Sequence, residues 1–326
     1  MHQSTLSRFS AGVRRMTNTT KPGCIVLLYH RVSETPHTLN VSPRHFGEHL
    51  EVMRTRADVV TLDQVVEKVS AGGSPRRGIA VSFDDGYVDN LTSGVPLLER
   101  YDVPATVFVA AGYVGDGRGF WWDRLAHLVD CWRVSHGPLA VDLGGGVTHW
   151  QVDADDEQVR RELEDQLQRA LMVLESGRRE DVLSRISEHL GTVQRGLVAD
   201  QLPMSRDQVR QLVGDLVSVG GHTMTHRRLL GLSSDQLEFE VGASRRSLME
   251  VTGKPVDHFS YPFGWRGTDY DDAAVAAVRK AGYHGAFCSR PAPARRGDSL
   301  YELPRLWVND MDGDEFAKQL HMCWGR

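Results

Sequence analysis

The sequence has no long hydrophobic run. A membrane-spanning helix needs roughly 20 apolar residues, and the most apolar windows, Cys24–Tyr29 and Val103–Val114, fall well short. Cysteine is scarce. The four present, Cys24, Cys131, Cys288 and Cys323, lie far apart and form no C-x-x-C. That argues against a disulfide framework and a zinc–thiolate site, and reads as free thiols in a reducing cytosol. Charge of one sign is also lacking: 38 Lys+Arg against 43 Asp+Glu leave a net charge of −5. Such a balance gives no electrostatic footprint for nucleic acid or an anionic membrane. The pairs Arg76-Arg77, Arg178-Arg179 and Arg295-Arg296 read as solvated surface. Met1–Lys21 is polar and has no apolar core of a secretory signal. These absences together predict a cytoplasmic protein. No internal repeat or low-complexity segment is found. Hydrophobic residues at 40% and charged residues at 25% exclude wholesale disorder.

What is present is a rhythm. Residues 1–22 read as a loose tail, with one large domain over 23–326. Short continuous apolar runs, the mark of strands buried on both faces, occur at Cys24–Tyr29, Gly78–Phe83, Pro104–Ala110, Asp215–Gly220, Val256–Tyr261 and Tyr283–Cys288. Helical patterns separate them at Ser42–Arg56, Leu62–Ser70, Asn90–Tyr101, Ser205–Val213, Ser234–Val251 and Asp271–Ala281, with Ser234 and Asp271 placed as N-caps. This alternation predicts an α/β fold with a parallel sheet, and six or seven units favour a barrel. The rhythm breaks over about 113–203, where no buried strand is evident. Phe120–Val134, Asp155–Glu175 and Arg179–Leu190 have helical period, and Gly144–Gly146 reads as a turn. The segment is expected to be a helical insertion in the barrel, not an independent domain, and a source of substrate selectivity. Of Trp121 and Trp122, at least one is expected in the core; the pair could also line a sugar-stacking groove.

Two segments carry chemistry. In Ser82-Phe83-Asp84-Asp85-Gly86-Tyr87, adjacent carboxylates sit where a buried strand ends, the position of active sites in α/β architectures. Neighbours on a strand point to opposite faces, so the pair does two different jobs unless the turn swings them together. In isolation, D-D-G reads as a cap for the helix near Asn90. In Gly220-Gly221-His222-Thr223-Met224-Thr225-His226, two histidines lie at i and i+4 after an apolar run. On one helical face they could grip a cation, and with a carboxylate they make the ligand set of a catalytic zinc-like site. Alone, H-x-x-x-H is a weak signal and reads as two surface histidines. Asp89 and Asn90 are read as capping or turn residues.

The combination is specific. Ser82–Gly86 followed by His222–His226 resembles the S/T-F-D-D-G and H-S/T-x-x-H motifs of the polysaccharide deacetylase superfamily, carbohydrate esterase family 4, with its nodulation-type chitooligosaccharide deacetylases. Phe259–Gly264 looks like the family's third motif, R-Y-P-Y/F-G. Leu28–Val32 and Leu303-Pro304-Arg305 look like the branch with bacterial exopolysaccharide deacetylases. The resemblance covers about 24–310, apart from the insertion. It implies a distorted (β/α)7-8 barrel that removes N-acetyl groups from an N-acetylated sugar by metal-activated water.

By the same resemblance, Asp84 is the general base, and Asp85, His222 and His226 hold a divalent metal. That metal is zinc first, with cobalt, nickel or manganese possible. The Tyr261 backbone N–H is expected to hold the oxyanion, and Thr223 to support the histidine loop. Tyr261, Phe263, Trp265 and Trp307 are candidate sugar-contacting aromatics. Two departures stand out. The family's arginine before Tyr-Pro is Ser260 here, and Arg305 is the candidate replacement. The late L-x-H acid is missing, since the segment reads Leu306-Trp307-Val308-Asn309, and His30 is the candidate general acid ahead of His258 and His284. The substrate could be a polymer, an oligosaccharide or a soluble precursor. Two alternatives are a deformylase or deacylase of a nucleotide sugar or natural-product intermediate, and a carbohydrate-binding pseudoenzyme.

Overall fold

A computed structural model describes residues 23–35, 38–73, 77–143, 146–191 and 199–324. The tail 1–22 and Gly144-Gly145 of the expected turn lie outside them. The chain divides into two compact units, one formed by residues up to Gly115 and from Pro203, the other by Asp116–Leu202.

The first unit is built on a parallel sheet of nine strands: β1 (Ile25–Tyr29), β2 (Asp58–Val59), β3 (Gly78–Phe83), β4 (Ala105–Val109), β5 (Val217–Gly221), β6 (His258–Ser260), β7 (Gly285–Cys288), β8 (Leu303–Pro304) and β9 (Leu306–Trp307). Their order is β8-β7-β6-β5-β4-β3-β1-β9, with β2 beside β3. The two edge strands are one extended segment. Leu303 pairs with Phe287 of β7, while Leu306 pairs with Leu27 of β1. Residues 303–307 therefore close the sheet on itself, with Arg305 as the keystone. Strands β1, β3 and β4 are buried at every position, so they read as unbroken apolar runs. The closing segment, two strands of two residues each with Arg305 between them, is too short to give that signal.

Helices pack outside: α1 (Pro43–Arg56), α2 (Leu62–Ser70), α3 (Val95–Tyr101), and, after the second unit, α7–α11 at Arg206–Leu212, Ser234–Leu237, Ser244–Thr252, Asp272–Lys280 and Gly313–Trp324. Two expected helices are interrupted by wide π turns, at Asn90–Gly94 and Glu238–Ala243. Asp271 caps α10 as expected, but the cap of α8 is Ser233, one residue before the predicted Ser234.

The second unit contains α4 (Trp121–Cys131), α5 (Glu157–Met172) and α6 (Ser176–His189) around its own core of Trp121, Leu125, Trp132, Leu167 and Leu183. The expectation of helices alone is corrected here: Leu139–Asp142 and Val147–Trp150 form an antiparallel hairpin. Its residues are mostly exposed or half-buried, so the buried-strand signature was missing. Trp121 is core, with the Arg179 guanidinium 4.6 Å over its ring.

In this unit burial lifts Glu164 to about 7, helped by Asp130 and Asp165. The folded state then binds more protons than the unfolded one above the ordinary carboxylate range. Stability is fully present below that range and is lost as pH rises through about 7. Glu164→Gln should remove this loss. It should raise the melting temperature at pH 8.5 by roughly 2–4 °C, allowing for partial exposure, and leave it unchanged at pH 4. Equal slopes of melting temperature against pH in the two proteins would refute the assignment.

Candidate active site

Every strand of a parallel barrel runs the same way, so all carboxyl ends meet at one mouth. His30 follows β1, Asp84 and Asp85 follow β3, His222 follows β5, Tyr261 follows β6 and Trp307 ends β9. The Asp84 amide donates to Tyr29 O, continuing the ladder one residue past β3. Asp85 then takes φ 75° and Gly86 φ 88°. This left-handed turn swings the carboxylates together. Both approach His222 Nε2, Asp85 Oδ1 at 3.5 Å and Asp84 Oδ2 at 3.9 Å. Among the described residues, four of the six non-glycine residues at positive φ, Asp85, Thr223, His226 and Phe263, belong to this region. Each costs roughly 1–2 kcal/mol, and such strain concentrates at functional sites.

On the other side of the mouth, Gly220-Gly221 lead into His222. A Cβ at Gly220 would lie 2.4 Å from the Phe108 ring, and one at Gly221 2.1 Å from the Tyr283 hydroxyl. Only glycine lets β5 lie this deep. His222 Nδ1 donates to Ser260 O at 2.8 Å, which turns the lone pair of Nε2 toward the carboxylates. His226 Nε2 stands 3.1 Å from Asp85 Oδ1. The histidines do not share a helix face as the spacing suggested; they flank a loop whose Thr223 Oγ1 accepts the His226 amide.

The ligand atoms of Asp85, His222 and His226 lie within 4.8 Å of one another, and all three residues are buried. Among the described residues, Asp85 Oδ1 has no hydrogen-bond donor, though it is cut off from solvent. A buried carboxylate oxygen left this way, facing two imidazole nitrogens, fits a divalent cation with one carboxylate and two histidine ligands. The fixed tautomer of His222 is the arrangement a metal-binding histidine needs. Electrostatics agree. Burial acts to raise Asp85, but His226 and His222 outweigh it and hold the carboxyl far below the carboxylate range. Burial likewise opposes charge on His222, and Asp84 and Asp85 overcome it, so its pKa is raised. At His226 burial prevails and the pKa is lowered.

Asp84 faces a different partner. Arg305 grips it as a fork, Nη1 to Oδ1 and Nη2 to Oδ2, both 2.7 Å. Ser260 Oγ donates to Oδ2 at 3.2 Å and accepts from Arg305 Nη2 at 2.7 Å. The guanidinium is fully buried, bonded to Ser82 Oγ and lying over Phe108. Burial would raise the Asp84 pKa; Arg305 and His222 more than offset it, so the carboxyl stays ionised. Thus Arg305 occupies the place beside Asp84 that Ser260 leaves empty of charge.

His30 is half-buried at the mouth, its ring 4.3 Å from that of Trp307. Burial lowers its pKa despite the pull of Asp85 and Asp84, so it is neutral at neutral pH. Phe263 sets its ring edge-on to His226 at 5.1 Å. Trp265 instead lines a cleft of about 310 Å³ with Tyr270, Arg290 and Glu302, which includes none of the triad. His258 is bonded to Asp63 at 2.8 Å, beside the start of α2. His284 lies 3.7 Å from Asp257, away from the triad.

Tyr261 is corrected on both counts. Its amide donates to Phe287 O at 3.1 Å, within the sheet, so it cannot hold an oxyanion. Its ring is buried and stacked on Tyr270, 4.0 Å away, so it cannot stack on a sugar. Asp89 is also not a helix cap. It forms a buried ion pair with Arg31 at 3.1 Å and accepts the Val32 amide. Asn90 donates to His30 O at 2.8 Å. Asp89 and Asn90 thus join the mouth instead of capping a helix, and Glu240, a buried acid in the turn 238–243, is a further residue that the sequence reading does not single out. An acid or amide inside an otherwise helical pattern was their only signal.

The family model for polysaccharide deacetylase matches residues 71–174 and 181–286. YxkH of Bacillus subtilis, named as a polysaccharide deacetylase, is 20% identical over 92% of this chain and 77% of its own. The poly-β-1,6-N-acetyl-D-glucosamine N-deacetylase of Staphylococcus aureus is 28% identical over 24% of this chain and 27% of its own. Among solved structures, the Streptococcus pyogenes deacetylase PplD superposes with TM-score 0.60 at 16% identity, over 92% of this chain and all of that one. IcaB from Ammonifex degensii does so with TM-score 0.58 at 19% identity, over 92% and 97%. These structural likenesses bear on the fold.

Proposed function

Since the chain belongs to the polysaccharide deacetylase family, we propose that it is a metal-dependent hydrolase that removes N-acetyl groups from an N-acetylated sugar. One observation carries this reading: a buried Asp85–His222–His226 cluster stands beside a second carboxylate, Asp84, that is separately paired with Arg305. Asp85 Oδ1 and the Nε2 atoms of His222 and His226 would hold the ion, zinc before cobalt, nickel or manganese. When bound, such an ion supplies Lewis acidity toward water and the acetyl carbonyl.

The chain's own groups do the rest. Asp84, kept ionised by Arg305, takes a proton from the water that attacks the acetyl carbon. The developing oxyanion needs an N–H donor. With the Tyr261 amide committed and Pro262 having none, the next amide is that of Phe263, which has no backbone acceptor among the described residues. As the C–N bond breaks, the nitrogen takes a proton and leaves as a free amine, with acetate as the other product. That proton is assigned to His30, which donates from its protonated form; because burial lowers its pKa, that form is the minority species at neutral pH. Trp307, packed on His30, and Phe263, packed on His226, supply apolar walls for the sugar.

The test is amine release from a panel of poly-β-1,6-N-acetylglucosamine, chitooligosaccharides and nucleotide sugars, with zinc supplied and Asp84→Asn as the blank. The Staphylococcus aureus relative is named for the first of these substrates, which heads the panel. Release above the blank is expected, and silence from zinc-loaded protein across the panel overturns the reading. His30→Ala should keep its zinc and lose about 10²-fold in kcat. Wild-type kcat should fall as pH rises through the His30 pKa, while the variant stays flat. An unaltered profile in His30→Ala would place the acid elsewhere.

A further inference from the structure

His222 continues a strand, but His226 does not. It hangs on a loop, 223–226, whose Thr223 and His226 both sit at positive φ, 65° and 51°. Something must hold this strained loop. Its carbonyls are held from one side: Thr223 O accepts from Ala111 and Met224 O from Gly112, each at 2.9 Å. The approach is so close that a Cβ at Gly112 would lie 2.5 Å from Met224 O. Its amides point the other way, and one buried side chain takes them. Glu240 Oε2 accepts from the Met224 amide at 3.0 Å and the Thr225 amide at 2.9 Å, while Oε1 accepts the Thr225 hydroxyl at 2.7 Å. Glu240 is 1% exposed. It reaches inward from the wide π turn at 238–243. Successive backbone amides aimed at one point form an anion-binding concavity, and here the anion is part of the chain.

We propose that Glu240 is a positioning residue for the metal site: its carboxylate clamps loop 223–226 and so sets His226 against Asp85. This deepens the function proposed above and rests on its ligand set. The chemistry makes the requirement specific. A carboxylate offers acceptors on both oxygens and no donor. Glutamine keeps one acceptor oxygen for the two amides and turns its NH2 toward the Thr225 hydroxyl, which must then accept instead of donate, so the three charge-assisted bonds become weaker neutral ones. Partners that orient metal ligands are typically worth 10–100-fold in affinity.

The experiment compares wild type, Glu240→Gln and Thr225→Val, each as the full chain. Zinc affinity is read by chelator competition, and hydrogen exchange of the Met224 and Thr225 amides is followed in the metal-free protein. Glu240→Gln should bind zinc 10–100-fold more weakly and exchange both amides faster, with exchange in β1 and β3 unchanged. Thr225→Val, which removes only the hydroxyl bond, should weaken zinc binding about 2–5-fold. Wild-type zinc affinity and wild-type exchange in Glu240→Gln would overturn the clamp. If Glu240→Gln does not fold, Thr225→Val decides, and unchanged affinity there overturns it. A wild-type protein that binds no zinc would refute the metal site itself. The clamp is then judged on exchange alone: faster exchange of the two amides supports it, and unchanged exchange refutes it.

Discussion

Arg305→Met should destabilise the protein by about 3–5 kcal/mol and lower kcat/KM by at least 10³-fold. Removing one partner of a buried ion pair leaves the other charge without compensation. Asp84 is 4% exposed and would retain Ser260 as its hydroxyl donor. Burial is already the largest influence on its pKa and acts upward. Without the guanidinium burial meets less opposition, so the carboxyl's pKa should rise and the carboxyl should lose effectiveness as a base. The stability part has its own control. Arg305→Met combined with Asp84→Asn removes both charges and should recover much of the lost stability, but no activity. Arg305→Lys keeps a charge and loses the fork, and should fall between wild type and methionine in both respects. Denaturant titration and amine release measure the two quantities. A single methionine variant of wild-type stability would show that the pair is not what holds the closing segment.

The second large effect separates two neighbouring carboxylates. Asp84→Asn should bind one equivalent of zinc as wild type does, yet lose at least 10³-fold in kcat, since an amide cannot accept the water's proton. Asp85→Asn should lose zinc itself, because the orphaned oxygen between His222 and His226 would be exchanged for a neutral amide. Zinc content at equilibrium with a chelator reads one residue, and turnover at saturating zinc reads the other. If both variants lose metal to the same degree, the division of labour between them is wrong.

Much of this was legible in the chain. The apolar runs that became β1, β3 and β4 are buried on both faces, and only Ser82 and Thr106 interrupt them. Caps such as Thr61, Ser205 and Asp271 mark helix starts by chemistry local to a few residues. The carboxylate pair and the histidine pair are short motifs at strand ends. The hairpin in the second unit was not legible, since its exposed strands lack a buried face. Nor was the state of the Tyr261 amide, because whether an N–H is free depends on a strand that arrives 26 residues later, at Phe287.

The sequence by itself determined the alternation, the barrel class and the residues able to hold a metal, because periodicity and motif chemistry act over a few neighbours. Tertiary structure alone decided how they are shared out. It brought Arg305 across 221 positions to Asp84 by making 303–307 the segment that closes the ring. It brought Glu240 back 15 positions to the histidine loop. Buried charges must find partners wherever the chain delivers them, and closing a barrel joins strands whose separation no local pattern records.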